Sequence, residues 1–330
     1  MAYTPDPTDP TSPTVTQLAG NMAYELQALK GYIQTLISSG SNFNYSGGMR
    51  NRIINGGFTC TTRASSGTVP ANLTNYVADR WLIASVGGAT NWTITGGTFG
   101  AFVMQVMPQA GMTTAGLSQR IESLNCKDLF AGTQVTVSGY FYVDDINVQQ
   151  PNIFITTANA TDNFAAQTDI VVGTSLGITN YQANTWMFFK RTFTLTGDGL
   201  KGISLFFNMY SSAVGKNLYF SGIQLEKGSL ATPFEFRHQS LELSLVSRYY
   251  QNMHVVMLNT AAAAGNVFTT AGQFTPQMRV TPSFSYTDVS LINCTHDSTG
   301  TFTNGWRTTL NAAGAGNLVG NFTLSFDAEL

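Results

Sequence analysis

The chain has 330 residues, of which 43% are hydrophobic and only 10% are charged, and its formal net charge is −2. The length predicts about two domains, and the apolar fraction is enough for packed cores. The near-neutral charge excludes the strongly basic surface that is typical of nucleic-acid binding, and no apolar run approaches the ~20 residues that span a bilayer. We therefore expect neither a nucleic-acid partner nor membrane insertion.

The first thirteen residues contain four prolines and lack the basic and apolar stretches of a secretory signal, so they predict an extended arm. Thr14 and Gln17 then fit a capping box at the start of a helix. The helix has an apolar heptad seam, which consists of Val15, Ala19, Met22, Leu26, Leu29, Ile33 and Leu36. An isolated helix of this length is marginal in water, so its stripe must be buried. Self-association and packing on the downstream domain are the two alternatives.

Residues 49–237 predict a β-sandwich, because short apolar runs alternate with glycine and proline turn signals. The strand-like runs are Ala101–Met107, Gln119–Leu124, Gln134–Val143, Ile153–Thr157, Trp186–Leu195, Ile203–Met209 and Leu218–Glu226. Beyond them, His238–Tyr250 has the apolar spacing of a helix of about three turns. The remaining residues again predict strands, and Phe322, Leu324 and Phe326 alternate as in a final strand.

The segment Ser221–Arg237 has the most informative residue order in the chain. Period-two alternation predicts that Ile223 and Leu225 lie on the face opposite Phe220. Gly228 then predicts a turn. After it we expect a short terminal strand that places two aromatic side chains in the core, Phe234 and Phe236.

Five short motifs follow one another along the chain. They read NRIINGGF (Asn51–Phe58), DRW (Asp79–Trp81), QLEKGSLATPFE (Gln224–Glu235), SRYY (Ser247–Tyr250) and MRVTP (Met278–Pro282). Together, in this order, they resemble the tail fibres and related virion proteins of tailed bacteriophages. The resemblance implies a jelly-roll domain similar in fold to carbohydrate-binding modules, and the first motif is expected to be its opening strand.

The resemblance implies a mainly β fold in three parts. Residues 1–48 are expected to form the N-terminal arm and the oligomerising or anchoring helix, and residues 49–237 the jelly-roll sandwich. Residues 238–330 are expected to form a short linking helix and a smaller C-terminal β-domain.

The expected function is that of a structural virion protein. In this interpretation the chain is a tail fibre and a homotrimer, attached through residues 1–40 to another virion protein such as a tail adaptor, a nozzle or the capsid. It would be synthesised in the host cytoplasm, located in the virion, and would recognise a host-surface glycan. Two alternatives remain open: a head fibre or capsid decoration protein, and a polysaccharide-modifying enzyme of the tailspike type.

The sequence shows no catalytic constellation, and we expect no enzyme, metal or cofactor. The three cysteines, Cys60, Cys126 and Cys294, are odd in number and widely spaced, which favours reduced thiols over disulfides or a zinc site. The adjacent Asp144 and Asp145 are expected in a solvated loop rather than a calcium site. Glu226 and Glu235 are expected to be structural, bonding turn amides or Arg237.

Aromatic side chains are candidates for sugar contacts, because apolar sugar faces stack on aromatic planes. The candidates by residue type are Trp92, Trp186, Trp306, Tyr210 and Tyr286. Trp81 and Trp186 are favoured as core residues. Exposure cannot be inferred from the sequence, so the receptor-binding residues stay unknown.

Overall fold

The structure is a computed structural model that describes residues 50–97 and 102–330. Over these ranges the chain is mainly β, as predicted, and its sheets form sandwich-like layers. No helix in the described ranges is long and apolar enough to cross a membrane. The predicted arm and heptad helix lie outside the described residues. They stay predictions, as do the jelly-roll assignment and the domain bounds at 48/49 and 237/238.

Strands between residues 66 and 227 form two six-stranded antiparallel sheets, here called the large sandwich. In chain order the strands are β1 (Ser66–Val69), β2 (Leu73–Ala78), β3 (Trp81–Val86), β4 (Thr90–Gly96), β5 (Phe102–Pro108), β6 (Thr114–Ile121), β7 (Gln134–Val143), β8 (Asn152–Ala160), β9 (Asn163–Ser175), β10 (Met187–Thr194), β11 (Ile203–Tyr210) and β12 (Leu218–Lys227). The back sheet has the order β1-β4-β5-β12-β7-β10, and the front sheet has the order β2-β3-β6-β11-β8-β9.

Aromatic side chains join the two sheets across the core. The ring of Phe207, on the front sheet, lies 5.4 Å from Phe220 and 6.0 Å from Phe189, both on the back sheet. Phe220 also contacts Phe141 at 5.2 Å. Burial of these inward faces supplies the main driving force for the two-layer fold.

Strand β12 departs from the predicted alternation at Gly222. This glycine has a φ of 58°, and the register with β7 shifts between Ser221 and Gln224. A bulge of this kind adds one residue, so the faces exchange beyond it. As a result Phe220, Ile223 and Leu225 all lie in one core, at 1% exposure or less. The prediction that Phe220 faces away from Ile223 is therefore wrong.

The opening motif is not a strand. Residues 51–58 are irregular but buried, and Asn51 reaches the backbone around the bulge of β12. Its amide donates to Ile223 O at 3.1 Å, and its Oδ1 accepts from Leu225 N at 3.0 Å. Gly56 is required beside it, since a Cβ there would lie 2.2 Å from Ile223 O. The motif thus pairs with β12 at the bulge through the Asn51 side chain and also through the backbone, where Ile223 N donates to Gly56 O and Arg52 N donates to Leu225 O, each at 2.9 Å.

The expected terminal strand is also absent, because residues 228–238 form no strand. Phe236 is 65% exposed, and its ring packs on Phe234 at 4.9 Å instead of entering the core. The expected roles of the two glutamates are confirmed. Glu226 accepts from the amide of Thr232 at 3.0 Å, and Glu235 accepts from Asn51 N at 2.8 Å and lies 3.5 Å from Arg237.

The predicted helix after the large sandwich is present as α1 (Gln239–Ser247). His238 caps it, since its side chain accepts from the amide of Ser240. Val246 and Tyr249 are buried against Ile54 and Cys60, so the helix packs on the opening segment of the large sandwich.

A second β-unit, here called the small sandwich, follows α1. Its strands are β13 (Tyr250–Ala262), β14 (Val267–Gln273), β15 (Ser283–Ile292), β16 (Cys294–Thr301), β17 (Gly305–Ala312) and β18 (Gly316–Asp327). They form two three-stranded sheets with the orders β13-β18-β15 and β14-β17-β16. The predicted alternation of β18 is confirmed: Phe322, Leu324 and Phe326 are fully buried in a core separate from that of the large sandwich.

Candidate functional site

The solvent face of the front sheet contains a recess of about 420 Å³. It is lined by Thr74, Ala84, Ser118, Arg120, Phe154, Thr156, Gln167, Asp169, Ser204, Phe206 and Asn208. These residues come from β2, β3, β6, β8, β9 and β11, so the recess crosses all six strands of the sheet. We call it the front-sheet groove.

Two phenylalanine rings form the apolar floor of the front-sheet groove. Phe206 of β11 and Phe154 of β8 are half-buried and meet edge to face, with ring centroids 6.3 Å apart. Each ring covers a glycine. A Cβ on Gly116 would lie 1.9 Å from the ring of Phe206, and one on Gly173 would lie 2.2 Å from the ring of Phe154. Because neither glycine has a side chain, both rings can pack directly against the backbone of the sheet.

Polar side chains form a row beside the rings. The row crosses four neighbouring strands and consists of Arg120, Ser204, Thr156 and Asp169. At 4.7–4.9 Å per strand, the backbone positions of its two end residues are about 14 Å apart across the sheet. The row therefore begins with an arginine on β6, has two hydroxyl side chains in the middle and ends with an aspartate on β9.

Neighbouring contacts hold this polar row in place. The hydroxyl of Thr156 donates to Gln167 Oε1 at 2.5 Å. The guanidinium of Arg120 donates to the main-chain oxygen of Leu330 and lies 5.4 Å from the ring of Phe164. The groove thus combines aromatic rings with pre-positioned hydrogen-bonding groups, as small-ligand sites commonly do.

Carboxyl groups are sparse among the residues that line the front-sheet groove. Hydrolysis by the common mechanism uses two carboxyl groups about 5–10 Å apart. Asp169 is the one carboxylate among the described residues that line the groove. Within residues 50–97 and 102–330, no group of three or more His, Cys, Asp and Glu residues could hold a metal ion.

The aromatic residues singled out in the sequence do not form this site. Trp92 and Trp306 are buried, at 6% and 7% exposure. Tyr210 is half-buried, and its hydroxyl accepts from Asn152 at 2.8 Å. Tyr286 belongs to the small sandwich and stacks on His296.

Of the two tryptophans favoured as core residues, one lies in the core. Trp81 is fully buried and donates to Asn55 O at 2.9 Å, which confirms the prediction. Trp186 is half-buried and lies beside Tyr142 and Tyr219 on the back sheet. For Trp186 the prediction is wrong, because it precedes the first residue of β10 and lies outside the layer between the sheets.

The acidic pair is in a loop after β7, as predicted. Asp144 accepts from the side chain of Asn217 at 2.6 Å, and Asp145 pairs with Lys216 at 2.7 Å. Lys216 holds the pKa of Asp145 below its ordinary value.

The residues predicted for oligomerisation and anchoring lie outside the described residues. They are Val15, Ala19, Met22, Leu26, Leu29, Ile33 and Leu36. The groove residues Phe154 and Phe206 were not found from the sequence, because phenylalanine in a strand usually indicates core. One signal was present: Gly116 and Gly173 lie inside strands, and such glycines often mark a close approach of a ligand or another group.

No protein-family model and no curated protein matches the chain. Similar solved structures include the C-terminal family 22 carbohydrate binding module from Clostridium thermocellum (11% identity, TM-score 0.34, 50% of this chain and 100% of that chain). The CBM22-1 xylan-binding domain from Paenibacillus barcinonensis is another (12%, 0.29, 49% and 99%). A third is the enzymatically active domain of tailspike protein 4 of bacteriophage CBA120 (9%, 0.32, 54% and 21%). Because these TM-scores are all well below 0.5, the three similarities support no conclusion about the function of this chain.

Proposed function

We propose that the chain is a non-catalytic glycan-binding protein and that the glycan binds in the front-sheet groove. The observation on which this rests is the pair of rings, Phe154 and Phe206, that lie over glycines in a recess of mostly uncharged polar side chains. Sugars present apolar C–H faces to aromatic rings and hydroxyl groups to Ser, Thr, Asn and Gln. A groove that crosses six strands suits a glycan chain better than a single sugar.

The proposed setting is the virion of a tailed bacteriophage, where the chain would act as a tail fibre. Support for the setting comes from the five motifs and their order. Residues 1–40 would attach the chain to another virion protein. In a homotrimer, three grooves would bind one surface together, which raises avidity without new contacts at any single site.

Binding is tested by screening the purified full chain against immobilised neutral and acidic polysaccharides, including those of host surfaces. We expect binding to at least one of them. The double variant Phe154→Ala/Phe206→Ala should lose on the order of tenfold or more in affinity, since each ring that stacks on a sugar contributes about 1 kcal/mol or more. The matched control is Tyr140→Ala/Phe188→Ala, a ring pair on the back sheet with centroids 5.4 Å apart.

Two results would overturn the binding proposal: no binding to any polysaccharide, or equal binding by wild type and the groove variant. The chain length of a bound polysaccharide, followed over hours, separates binding from cleavage, and shortening would contradict a non-catalytic role. The setting is tested by labelling residues 1–40 and locating the label on particles. We expect it at the tail; a label on the head would support a head fibre instead, and particles without label would contradict both.

A further inference from the structure

Three aromatic rings lie together on the outer face of the back sheet, in the layer opposite the front-sheet groove. The ring centroid of Tyr142, on β7, lies 5.2 Å from that of Tyr219, on β12, and 5.5 Å from that of Trp186. Trp186 and Tyr219 are 6.4 Å apart, and all three side chains are half-buried. We call them the ring cluster. Aromatic side chains gathered on a surface mark an interaction site more often than scattered ones do.

The loop before β10 holds the ring cluster in place. The backbone amide of Asn184 donates to Val143 O at 2.7 Å, and its Oδ1 accepts from the hydroxyl of Tyr142 at 3.1 Å. The hydroxyl of Tyr219 has no hydrogen-bond partner among the residues that the structure describes. Burial raises the pKa of Tyr219, so this hydroxyl is a protonated donor at neutral pH. The cluster therefore offers rigid apolar faces and a donor for a ligand carbonyl.

The charge changes sign along this face of the sheet. Lys190 of β10 is exposed and forms no ion pair within the described ranges. It follows Trp186 by four residues, so both side chains point to the same side of the sheet, about 14 Å apart along the strand. Near the other end of the ring cluster, Asp144 accepts from Asn217. A ligand with acidic groups should therefore direct them toward Lys190.

The predicted N-terminal arm has the residue spacing of a matching ligand. A polyproline II helix has three residues per turn, so Pro7, Pro10 and Pro13 share one edge of it. Asp6 and Asp9 share a second edge. The arm thus combines an apolar edge with an acidic one.

The dimensions of the arm and of the sheet surface agree. At about 3.1 Å per residue, Asp6 and Pro10 are about 12 Å apart in a polyproline II helix. Trp186 and Lys190 are separated by about the same distance, ~14 Å. Aromatic surfaces bind polyproline II segments because these segments are already extended and lose little entropy. Since proline cannot donate to a β-ladder, the arm suits the face of the sheet and not the free edge of β10.

The described part of the chain starts close to the ring cluster. Residues 52–56 pair with β12 at Ile223 and Leu225. Tyr219 precedes Ile223 by four residues, which is about 13 Å along the strand. Residues 14–49 span this distance several times over at an extended reach of about 3.3 Å per residue. Because the arm is tethered, its effective concentration at the cluster is high even if its intrinsic affinity is low.

We propose that the N-terminal arm, residues 1–13, docks on the ring cluster of its own chain. Pro10 and Pro13 pack against the rings, and Asp6 points toward Lys190. The proposal goes beyond glycan binding and is independent of the front-sheet groove. It leaves the predicted helix that follows the arm free for attachment to another virion protein.

Photo-cross-linking of the full chain tests the docking. The variant Thr11→p-benzoylphenylalanine keeps every proline and aspartate of the arm. After irradiation, mass spectrometry should find links to β7, to β12 or to the loop that carries Trp186, in a product with the mass of one chain. Links confined to the front sheet or the small sandwich, or no link at all, would overturn the proposal. A product that joins two copies would refute docking within one chain.

Variants assign the cross-link to the rings. Trp186→Ala/Tyr219→Ala, made in the cross-linking chain, should lower the yield at least about fivefold, a loss of about 1 kcal/mol or more. The matched control is Phe284→Ala/Phe302→Ala, which removes two rings of the small sandwich that are 40% and 51% exposed. Equal yields in the two double variants would show that the ring cluster does not bind the arm.

Charge reversal tests the direction of the arm. Lys190→Glu should lower the yield, and adding Asp6→Lys/Asp9→Lys to the same chain should restore it, because opposite charges then face each other again. The effect should weaken as salt is raised. A loss in Lys190→Glu that the arm reversal does not restore would refute the contact with Asp6.

Quenching of tryptophan fluorescence by acrylamide checks the docking without altering either sandwich. Trp186 is half-buried, whereas the other three tryptophans are at most 7% exposed, so added quenching reports on Trp186; these three are Trp81, Trp92 and Trp306. In the full-length variant Pro7→Ala/Pro10→Ala/Pro13→Ala the quenching constant should rise about twofold, since a docked arm shields the Trp186 ring. An unchanged constant would overturn the proposal.

Discussion

Arg80 and Glu329 form an ion pair that joins the large sandwich to the residues after β18, with 1% and 3% of their side chains exposed. The guanidinium of Arg80 also lies 3.6 Å from the ring centroid of Tyr249. Burial takes the charge of Arg80 out of water and so lowers its pKa from the ordinary value. The pair therefore stabilises the junction only while both partners are present.

Removing one partner should be strongly destabilising. Glu329→Ala leaves Arg80 buried without its carboxylate, so we expect the free energy of unfolding to fall by about 3–5 kcal/mol. Urea unfolding measures it. The double variant Arg80→Met/Glu329→Leu should recover much of the loss, because apolar side chains of similar size need no partner. A loss below about 1 kcal/mol in Glu329→Ala would show that the pair is solvated.

The glycines beneath the rings should be essential for the groove. In Gly116→Ala the new Cβ would lie 1.9 Å from the ring of Phe206, so the ring must leave its position. We expect glycan affinity to fall on the order of tenfold. The control is Gly96→Ala on β4, where no atom lies within 4 Å of an added Cβ. Equal affinities for the two variants would show that ring position does not matter.

The bulge of β12 should depend on the backbone freedom of Gly222. Its φ is 58°, and an added Cβ would meet no atom closer than 3.5 Å. Gly222→Ala should therefore cost about 1–2 kcal/mol from backbone conformation alone. Gly222→Asn should cost less, because asparagine tolerates this region better. Thermal or urea unfolding gives both values, and an unchanged stability in Gly222→Ala would mean that the bulge moves elsewhere.

The cysteines should be unreactive in the folded chain. Burial raises the pKa of Cys60 to about 11 and that of Cys126 to about 12, and it also raises the pKa of Cys294. A thiol reagent at pH 8 should therefore label none of them in the native state and all three after unfolding. The contribution of the thiols to the free energy of unfolding should be constant below pH 9.0, the ordinary thiol pKa. It should fall from there to about pH 12, because over this range a thiol ionises in the unfolded chain but not in the folded one. Rapid native labelling would contradict this.

Period-two patterns located much of the fold, because alternation in a strand is a local property. Strand β7 was predicted at Gln134–Val143, where the structure has it. The bulge at Gly222 was not predicted, since a glycine can continue an alternating pattern without contradicting it. The role of Asn51 was missed because its partner, Ile223, is 172 residues away in sequence. Side-chain bonds over such distances leave no periodic signal.

The candidate site was harder to predict than the fold. Phe154 and Phe206 have the same residue type as the core residues Phe207 and Phe220, and only the face of the sheet distinguishes them. The contact between Arg120 and Leu330 joins the large sandwich to the residues after β18, and the sequence patterns place these two residues in different domains. The face of a strand can be inferred from alternation, but the contact between units depends on packing.

The location of the bound glycan tests the central claim most directly. Amide hydrogen exchange should be measured on the full chain with and without a glycan that binds it. We predict added protection in the front sheet, concentrated in β6, β8 and β11, which carry Arg120, Phe154 and Phe206. Protection confined to the back sheet or to the small sandwich would contradict the account.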